Sequence, residues 1–304
     1  MIKKIHIKKD YEVRLDKYLK NLFTSLTQSF IEKNIRKKNI LINNSRTKAN
    51  YVVKFNDNLI ILNFHEELYK NKIIYKKKIN ISDNDLKKFN KSIIFQNNNF
   101  LVINKWSDIA TQGGSKVNVS IDHIIKNINP DYRLVHRLDK ETSGLLLISK
   151  NLKYARYFST LFKQHLITKF YIALCEGSPK NKNSKVLLNI KNKNQEIENT
   201  ITNYVVIDKK NNITQILYNP ETGKTHQLRK VSKNLGCSII GDQKYNINSK
   251  YNNEKLMLHA FALKFTIYEE KFSFISELPN YFITFIKKNK LKFKENLEKE
   301  LNSF

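Results

Sequence analysis

The chain has 304 residues and carries 55 Lys and Arg against 27 Asp and Glu, a formal net charge of +28 at pH 7. With 40% apolar residues it can bury a core, which excludes wholesale disorder, and no apolar run reaches the roughly 18 residues of a membrane span. The basic start MIKKIHIKKD has no apolar stretch behind it, and Cys175 and Cys237 are too few for a disulfide scaffold or a four-cysteine zinc site, so a soluble cytoplasmic protein is expected.

In chain order, Leu15, Tyr18, Leu19, Leu22 and Phe23 recur at helical spacing, and Phe30, Ile31, Ile35 and Arg36 predict a second short helix capped by Thr27 or Ser29. NILINNSRTKANYVV then reads as a strand, an Asn-Asn turn and a return strand. These elements make a small module over 12–65. Residues 66–92, rich in Lys and Asn with little periodicity, read as a linker. IIFQ and FLVINK, separated by three asparagines, predict a hairpin from Ile93. A strand (145–149), a helix (151–164) and a strand (169–177) follow, then a lysine-rich insertion (180–200). After the strand ITQILY, a helix from about Thr225 turns Leu228, Val231 and Leu235 inward and stops at Gly236. Residues 93–290 form the second expected domain, and 291–304 a charged tail. Helices and strands alternate irregularly with hairpins, which predicts an α+β fold.

The charge points to a polyanionic partner, yet the excess of Lys, Asn and Ile is also what AT-rich codons supply. Scarce residues say more. Only seven arginines occur, and all seven glycines lie after residue 112, so each position has a reason to need a planar guanidinium fork or an unusual backbone. The basic residues Lys33, Arg36, Lys37, Lys38 and Arg46 cluster on the second helix and the hairpin, where they are either a solvated face or a phosphate-binding one.

Four stretches could carry chemistry: NKWSDIATQGGSK (104–116), RLVHRLDKETSGLLLISK (133–150), KFYIALCEG (169–177) and NPETGKTHQLRK (219–230). GKT at 223–225 is not a P-loop, because the first glycine would have to stand at Tyr218. There is no G-x-G-x-x-G, no G-x-S-x-G, no C-x-x-C and no H-E-x-x-H, so neither cofactor nor metal is expected. Asp139, flanked by arginines and a histidine at the mouth of an apolar strand, would be kept ionised as a nucleophile or electrostatic partner. It could equally form an ordinary loop ion pair with Arg137.

RLVHRLDKETSGLLLISK resembles the H-R-L-D-x-x-T-S-G signature of the RluA/RluC/RluD family of pseudouridine synthases. NPETGKTHQLRK followed by Ile240-Gly241-Asp242 resembles that family's T-G-R-T-H-Q-I-R…G-D segment, Lys169-Phe170-Tyr171 its K-x-Y strand, and LMLHAFALKF (256–265) its late L-H-A strand. Gly113-Gly114-Ser115 and Thr142-Ser143-Gly144 look closer to the RluC subgroup, and the amino-terminal module resembles an S4-type RNA-binding domain. Trp106, Gln112, Lys224 and Lys230-Val231 depart from the family pattern, which leaves substrate contacts there open.

The resemblance implies a small S4-type domain followed by a catalytic domain on a mixed, mainly antiparallel sheet. It implies isomerisation of uridine to pseudouridine in large-subunit (23S) ribosomal RNA, without cofactor, in a bacterial-type cytoplasm. Asp139 would be the catalytic carboxylate, Arg229 the arginine that pairs with it, Tyr171 the residue that stacks on the base and assists proton transfer, and Leu228 a packing residue. Arg137 would hold the place of the extruded nucleotide, while His136 and His226 are structural. Lys33, Arg36, Lys37, Lys38 and Arg46 would bind RNA backbone. Ribosomal RNA is then the expected partner, a monomer the expected state, and no membrane is involved. A tRNA-directed synthase and a non-catalytic ribosome-assembly factor are the alternatives; the coexistence of Asp139, Tyr171 and Arg229 weighs against the second.

Overall fold

Leu15, Tyr18 and Leu19 turn one face of α1 (Leu15–Leu22) inward, and Ile31 and Ile35 do the same for α2 (Gln28–Arg36). The structure, a computed structural model, describes residues 1–71, 80–114, 117–192, 195–292, 297 and 301. Its chain divides into units 1–78 and 79–304. In the first unit Thr27 caps α2 by accepting the Phe30 N–H at 3.1 Å. The strands are β1 (Lys3–His6), β2 (Ile40–Ile42), β3 (Ser45–Arg46) and β4 (Asn58–Ile61), in the order β1-β4-β2-β3. Asn43 and Asn44 join β2 to β3 with φ of 51° and 63°, the two-residue turn that matches strand twist. The return strand is shorter than the sequence suggests, and β4 takes the central place beside β2. Because β1 pairs with β4, this unit also reaches upstream of residue 12.

The second unit contains, in order, α3 (Asp83–Lys91), β5 (Ile93–Gln96), β6 (Phe100–Lys105), α4 (Ile121–Ile128), β7 (Arg133–Leu134), β8 (Ser143–Ser149), α5 (Leu152–Lys163) and β9 (Thr168–Glu176). Then come β10 (Asn183–Lys191), β11 (Ile197–Lys210), β12 (Ile213–Pro220), α6 (Gln227–Asn234), β13 (Ser238–Ile239), β14 (Leu258–Ile267), β15 (Glu270–Ile275) and α7 (Asn280–Lys288). The sheet runs β10-β11-β12-β9-β14-β8-β6-β5, with β13 on β9, β15 on β14 and β7 on β8. Among these strands only β8 and β14 pair in parallel, so the fold is α+β on a mixed, mainly antiparallel sheet. Leu101, Ile103, Leu146 and Ile148 pack under α4, while Phe100, Val102, Leu145 and Leu147 pack against Phe158 and Leu161 of α5. Burial on both faces is why β6 and β8 read as continuous apolar runs.

Three stretches differ from the sequence reading. The insertion 180–200 is strand over 183–191 and 197–200: Val186, Leu188 and Ile190 turn inward and alternate with outward-facing Lys185, Leu187, Asn189 and Lys191, a period of two obscured by the lysines and by exposed Leu187 (193–194 lie outside the described residues). The span 66–92 carries α3, started by a Ser82–Asp85 capping box and anchored by buried Phe89; residues 72–79 are outside the described set. In the span 291–304, Leu291, Leu297 and Leu301 belong to the core, and 293–296, 298–300 and 302–304 are not described. The sequence reading also missed α4 and α7.

Two details place the strand that follows Asp139. Gly144 has φ +112° and lies so close to β14 that a Cβ would stand 2.2 Å from the Ala260 carbonyl oxygen, so no other residue fits. Next to it, a buried polar chain crosses from β8 to α7: Ser143 Oγ bonds His259 Nδ1 at 2.8 Å and Tyr281 Oη at 3.2 Å, and His259 Nε2 bonds Ser276 Oγ at 2.7 Å. Burial, with the nearby Lys105 charge adding to it, pushes His259 from 6.5 down to about 3. The folded protein therefore keeps the ring neutral while the unfolded chain binds a proton below pH 6.5. Stability is full above that value and falls as pH drops toward about 3. Between pH 6 and 4 the unfolding free energy of the wild type should fall about 1.4 kcal/mol per pH unit more steeply than that of His259→Gln, measured by denaturant titration. Parallel slopes would show that His259 titrates normally.

Candidate active site

Three chain segments converge on a cavity of about 390 Å³, the loop from Val135 to Thr142 between β7 and β8, the start of β9, and the connection from β12 into α6, with Phe162, Lys163 and His165 at the end of α5 and Leu258 of β14 completing its wall. On β9, Lys169 and Tyr171 are two residues apart, so their side chains leave the same face of the strand and both line the cavity. Gln227 fixes the third segment: its Nε2 donates to Thr202 Oγ1 (2.9 Å) and the Ile201 carbonyl (3.2 Å), while Oε1 accepts from Lys224 N (3.0 Å) and Thr222 Oγ1 (2.9 Å). His226 opens α6 in the left-handed region at φ 54°, and the helix closes at Gly236, φ 73°, with Gly236 N bonded to the Lys233 carbonyl and Cys237 N to that of Ser232.

The loop bearing Asp139 is clamped from below by residues 105–111. Thr111 Oγ1 both donates to the Leu138 carbonyl (2.7 Å) and accepts the Leu138 N–H (3.1 Å). Ser107 Oγ donates to the Glu141 carbonyl (2.9 Å). Lys105 is fully buried and donates to the carbonyls of Trp106 (3.1 Å), Ile109 (3.0 Å) and Lys140 (3.2 Å). Burial pushes its ammonium down to about 7 even though Glu141, Asp108 and Asp139 oppose the shift. No described residue of 104–116 lines the cavity; that stretch positions backbone, and Ser115 and Lys116 lie outside the described residues.

Asp139 is the only acidic side chain among the described lining residues, and it is 21% exposed. Arg229 does not make it the main partner that the sequence suggests. The guanidinium is bidentate on Asp242, Nε to Oδ2 at 2.8 Å and Nη2 to Oδ1 at 2.7 Å, with both groups buried. Its remaining Nη1 stands 3.9 Å from Asp139 Oδ2 and 3.7 Å from Glu141 Oε2. Asp242 Oδ1 also accepts the N–H groups of Lys244 and Tyr245, each at 3.0 Å, and the Tyr245 ring lies 5.3 Å from the guanidinium carbon. Sequence reasoning quoted Asp242 but gave it no role; the signal was a lone acid after a glycine, downstream of a scarce arginine.

Tyr171 and Leu228 reach the same cavity, Tyr171 half-buried and Leu228 buried. Burial raises the Tyr171 phenol well above its ordinary range, and the Asp139 charge adds to this, so the hydroxyl stays neutral. Arg137 lines the cavity, exposed and with no side-chain partner among the described residues. The His136 ring accepts the Leu147 N–H at Nε2 (2.8 Å), stacks on Phe162 at 4.7 Å, and is pushed down to about 3 by burial and the Lys169 charge. His226 bonds Tyr245 Oη through Nδ1 (3.1 Å) and faces Asp139 across 3.9 Å; its own burial lowers its pKa. Lys33, Arg36, Lys37, Lys38 and Arg46 belong to the amino-terminal unit, all exposed and without side-chain partners among the described residues.

Residues 99–234 match the RNA pseudouridylate synthase family model, and 13–59 the S4 domain model. The chain is 38% identical to "Ribosomal large subunit pseudouridine synthase C" of Rickettsia felis over 88% of its own length and 94% of that protein. The namesake from Rickettsia prowazekii is also 38% identical, over 88% of this chain and 95% of the relative. A solved structure of human RNA pseudouridylate synthase domain containing 4 superposes with a TM-score of 0.62 at 23% identity, covering 69% of this chain and 97% of that one, which establishes a shared fold.

The geometry makes Asp242, not Asp139, the anchor of Arg229. Removing one member of a buried, bidentate pair strands the other charge, at a cost of about 3–5 kcal/mol. Asp242→Ala should therefore lose about 3 kcal/mol of unfolding free energy, while Asp139→Ala should lose less than about 1 kcal/mol. Equal losses in chemical denaturation would refute the assignment.

Proposed function

Since the chain belongs to the RNA pseudouridylate synthase family and carries an S4 domain, we propose that it converts uridine to pseudouridine in large-subunit ribosomal RNA, with Asp139 as the catalytic carboxylate. The observation that carries this reading is that Asp139 is the only acid on the described wall of a cavity that also holds Tyr171, Leu228 and Arg229. In the isomerisation the C1′–N1 bond breaks, the uracil turns in place, and a C1′–C5 bond forms; the proton at C5 is lost and N1 gains one. A carboxylate facing the sugar is the group that meets such glycosidic cleavage. Arg229 acts on Asp139 from 3.9 Å, close enough to steer it but too far for a direct hydrogen bond in the free protein. Tyr171, held neutral, offers its ring to the base and its hydroxyl to the proton leaving C5. Arg137, exposed and without a side-chain partner among the described residues, fills the gap left by the extruded nucleotide in this reading.

Lys33, Arg36, Lys37, Lys38 and Arg46 serve as the phosphate-binding group of the amino-terminal unit. Contacts of this kind position RNA without reading its sequence. The names of the relatives support ribosomal RNA as substrate and, with it, a cytoplasmic setting; action as a monomer away from membranes is part of the same proposal. No helix among the described residues is long and apolar enough to cross a membrane.

Asp139→Asn keeps the shape of the side chain but removes its nucleophilic carboxylate. It should bind ribosomal RNA with near wild-type affinity and yield no pseudouridine in single-turnover mapping; conversion by a pure sample of the variant would remove Asp139 from the chemistry. Wild-type binding without any product would identify an assembly factor, and product in tRNA alone a tRNA-directed enzyme. Separately, neutralising Lys33, Arg36 and Lys37 should flatten the slope of log affinity against log salt by roughly 0.7–0.9 per lost phosphate contact. Turnover at saturating RNA should survive. An unchanged slope would mean that these charges are solvated surface.

A further inference from the structure

Lys169 is a cation without a counter-ion. It sits half-buried in the cavity wall, and among the described residues no acceptor or carboxylate meets its ammonium. The titratable and charged groups that share the cavity are His136, Arg137 and Asp139 from the loop after β7, Lys163 at the end of α5 and His165 just beyond it, and Lys224, His226 and Arg229 around the start of α6. Asp139 is the only acid in that set, and the partners nearest to it are His226 and Arg229. Lys224 is paired outward to Glu198 at 3.4 Å. His136, the titratable group that senses Lys169, is held neutral and spends Nε2 on the Leu147 N–H. Taking an unpaired ammonium partly out of water is costly, and burial pushes Lys169 down to about 8. A lysine kept there at a cost to stability is one whose partner arrives with the ligand.

The position narrows the partner. Lys169 precedes Tyr171 by two residues on β9, so its head stands about one side-chain spacing along the same strand face from the ring. If that ring meets the uracil, the neighbouring anion is backbone phosphate, since uracil itself carries no charge. We infer that Lys169 binds a phosphodiester flanking the extruded uridine, fixing the nucleotide against the Asp139 carboxylate. This rests on the proposed function and adds a specific contact to it.

The test uses the full-length protein with uridine, uridine 5′-methylphosphate and uridine 3′-methylphosphate, binding being read by competition against labelled RNA. Wild type should bind one of the two diesters about tenfold more tightly than uridine. That preference should vanish in Lys169→Met and persist in Lys169→Arg. It should also shrink in the wild type as pH rises through about 8, where the free ammonium deprotonates, and stay flat for Lys169→Arg. Lys169→Met should melt at a higher temperature than wild type, because the unpaired buried charge is gone; a residue kept for packing would destabilise on replacement. A diester preference that survives in Lys169→Met, or none in wild type, overturns the inference. Conversion of ribosomal RNA by wild type is scored separately, so failure of the proposed reaction is distinguishable from failure of the phosphate contact.

Discussion

One buried ion pair organises the cavity. The Arg229 guanidinium is planar and presents a fixed fork, so two of its nitrogens satisfy Asp242 while the third necessarily points elsewhere. That third nitrogen faces Asp139 and Glu141. Tyr245 covers the face of the fork and, through its hydroxyl, holds His226 on the far side of Asp139. The arginine thus acts as a bracket: rigid where it meets Asp242, and within Coulombic reach of Asp139. A lysine could not do both, having one flexible point of charge.

The opposite wall depends on backbone rather than on charge. The Asp139 loop is short and would be free to move if it hung only from β8. It is instead tied to residues 105–111 at Leu138, Lys140 and Glu141. Gly144 lets β14 approach where β8 begins, so the loop emerges from the only parallel pairing among the described strands. The cavity therefore has one wall set by a salt bridge and one by hydrogen bonds to carbonyls. Between them stands β9, whose Lys169 and Tyr171 face inward from a strand otherwise buried in the main core.

Net charge has different meanings in different parts of the chain. Exposed lysines in the amino-terminal unit and on β10 could be exchanged for other polar residues without disturbing the core. Lys105 could not, being committed to three carbonyls, whereas Lys169 stands in the cavity wall without a partner among the described residues and serves the ligand rather than the core. Composition counts all of them alike; burial separates them.

By itself the sequence determined the local elements and the identity of the chemistry. Apolar spacing predicted α1, α2 and α5, the Asn-Asn turn and the β5–β6 hairpin, because each depends on neighbours in the chain. The ordered motifs around Asp139, Tyr171 and Arg229 carried the family resemblance. What it obscured were elements whose apolar period is diluted by lysine and asparagine, namely α3, β10 and the first residues of β11, and the buried leucines at 291, 297 and 301. Only the tertiary structure decided that Arg229 belongs to Asp242, that Lys105 supports the Asp139 loop from beneath, and that Lys169 meets no partner among the described residues. Those facts are distances between residues far apart in the chain. Hydrogen bonds and ion pairs reward such contacts only after folding has brought the groups together, and no local pattern records them.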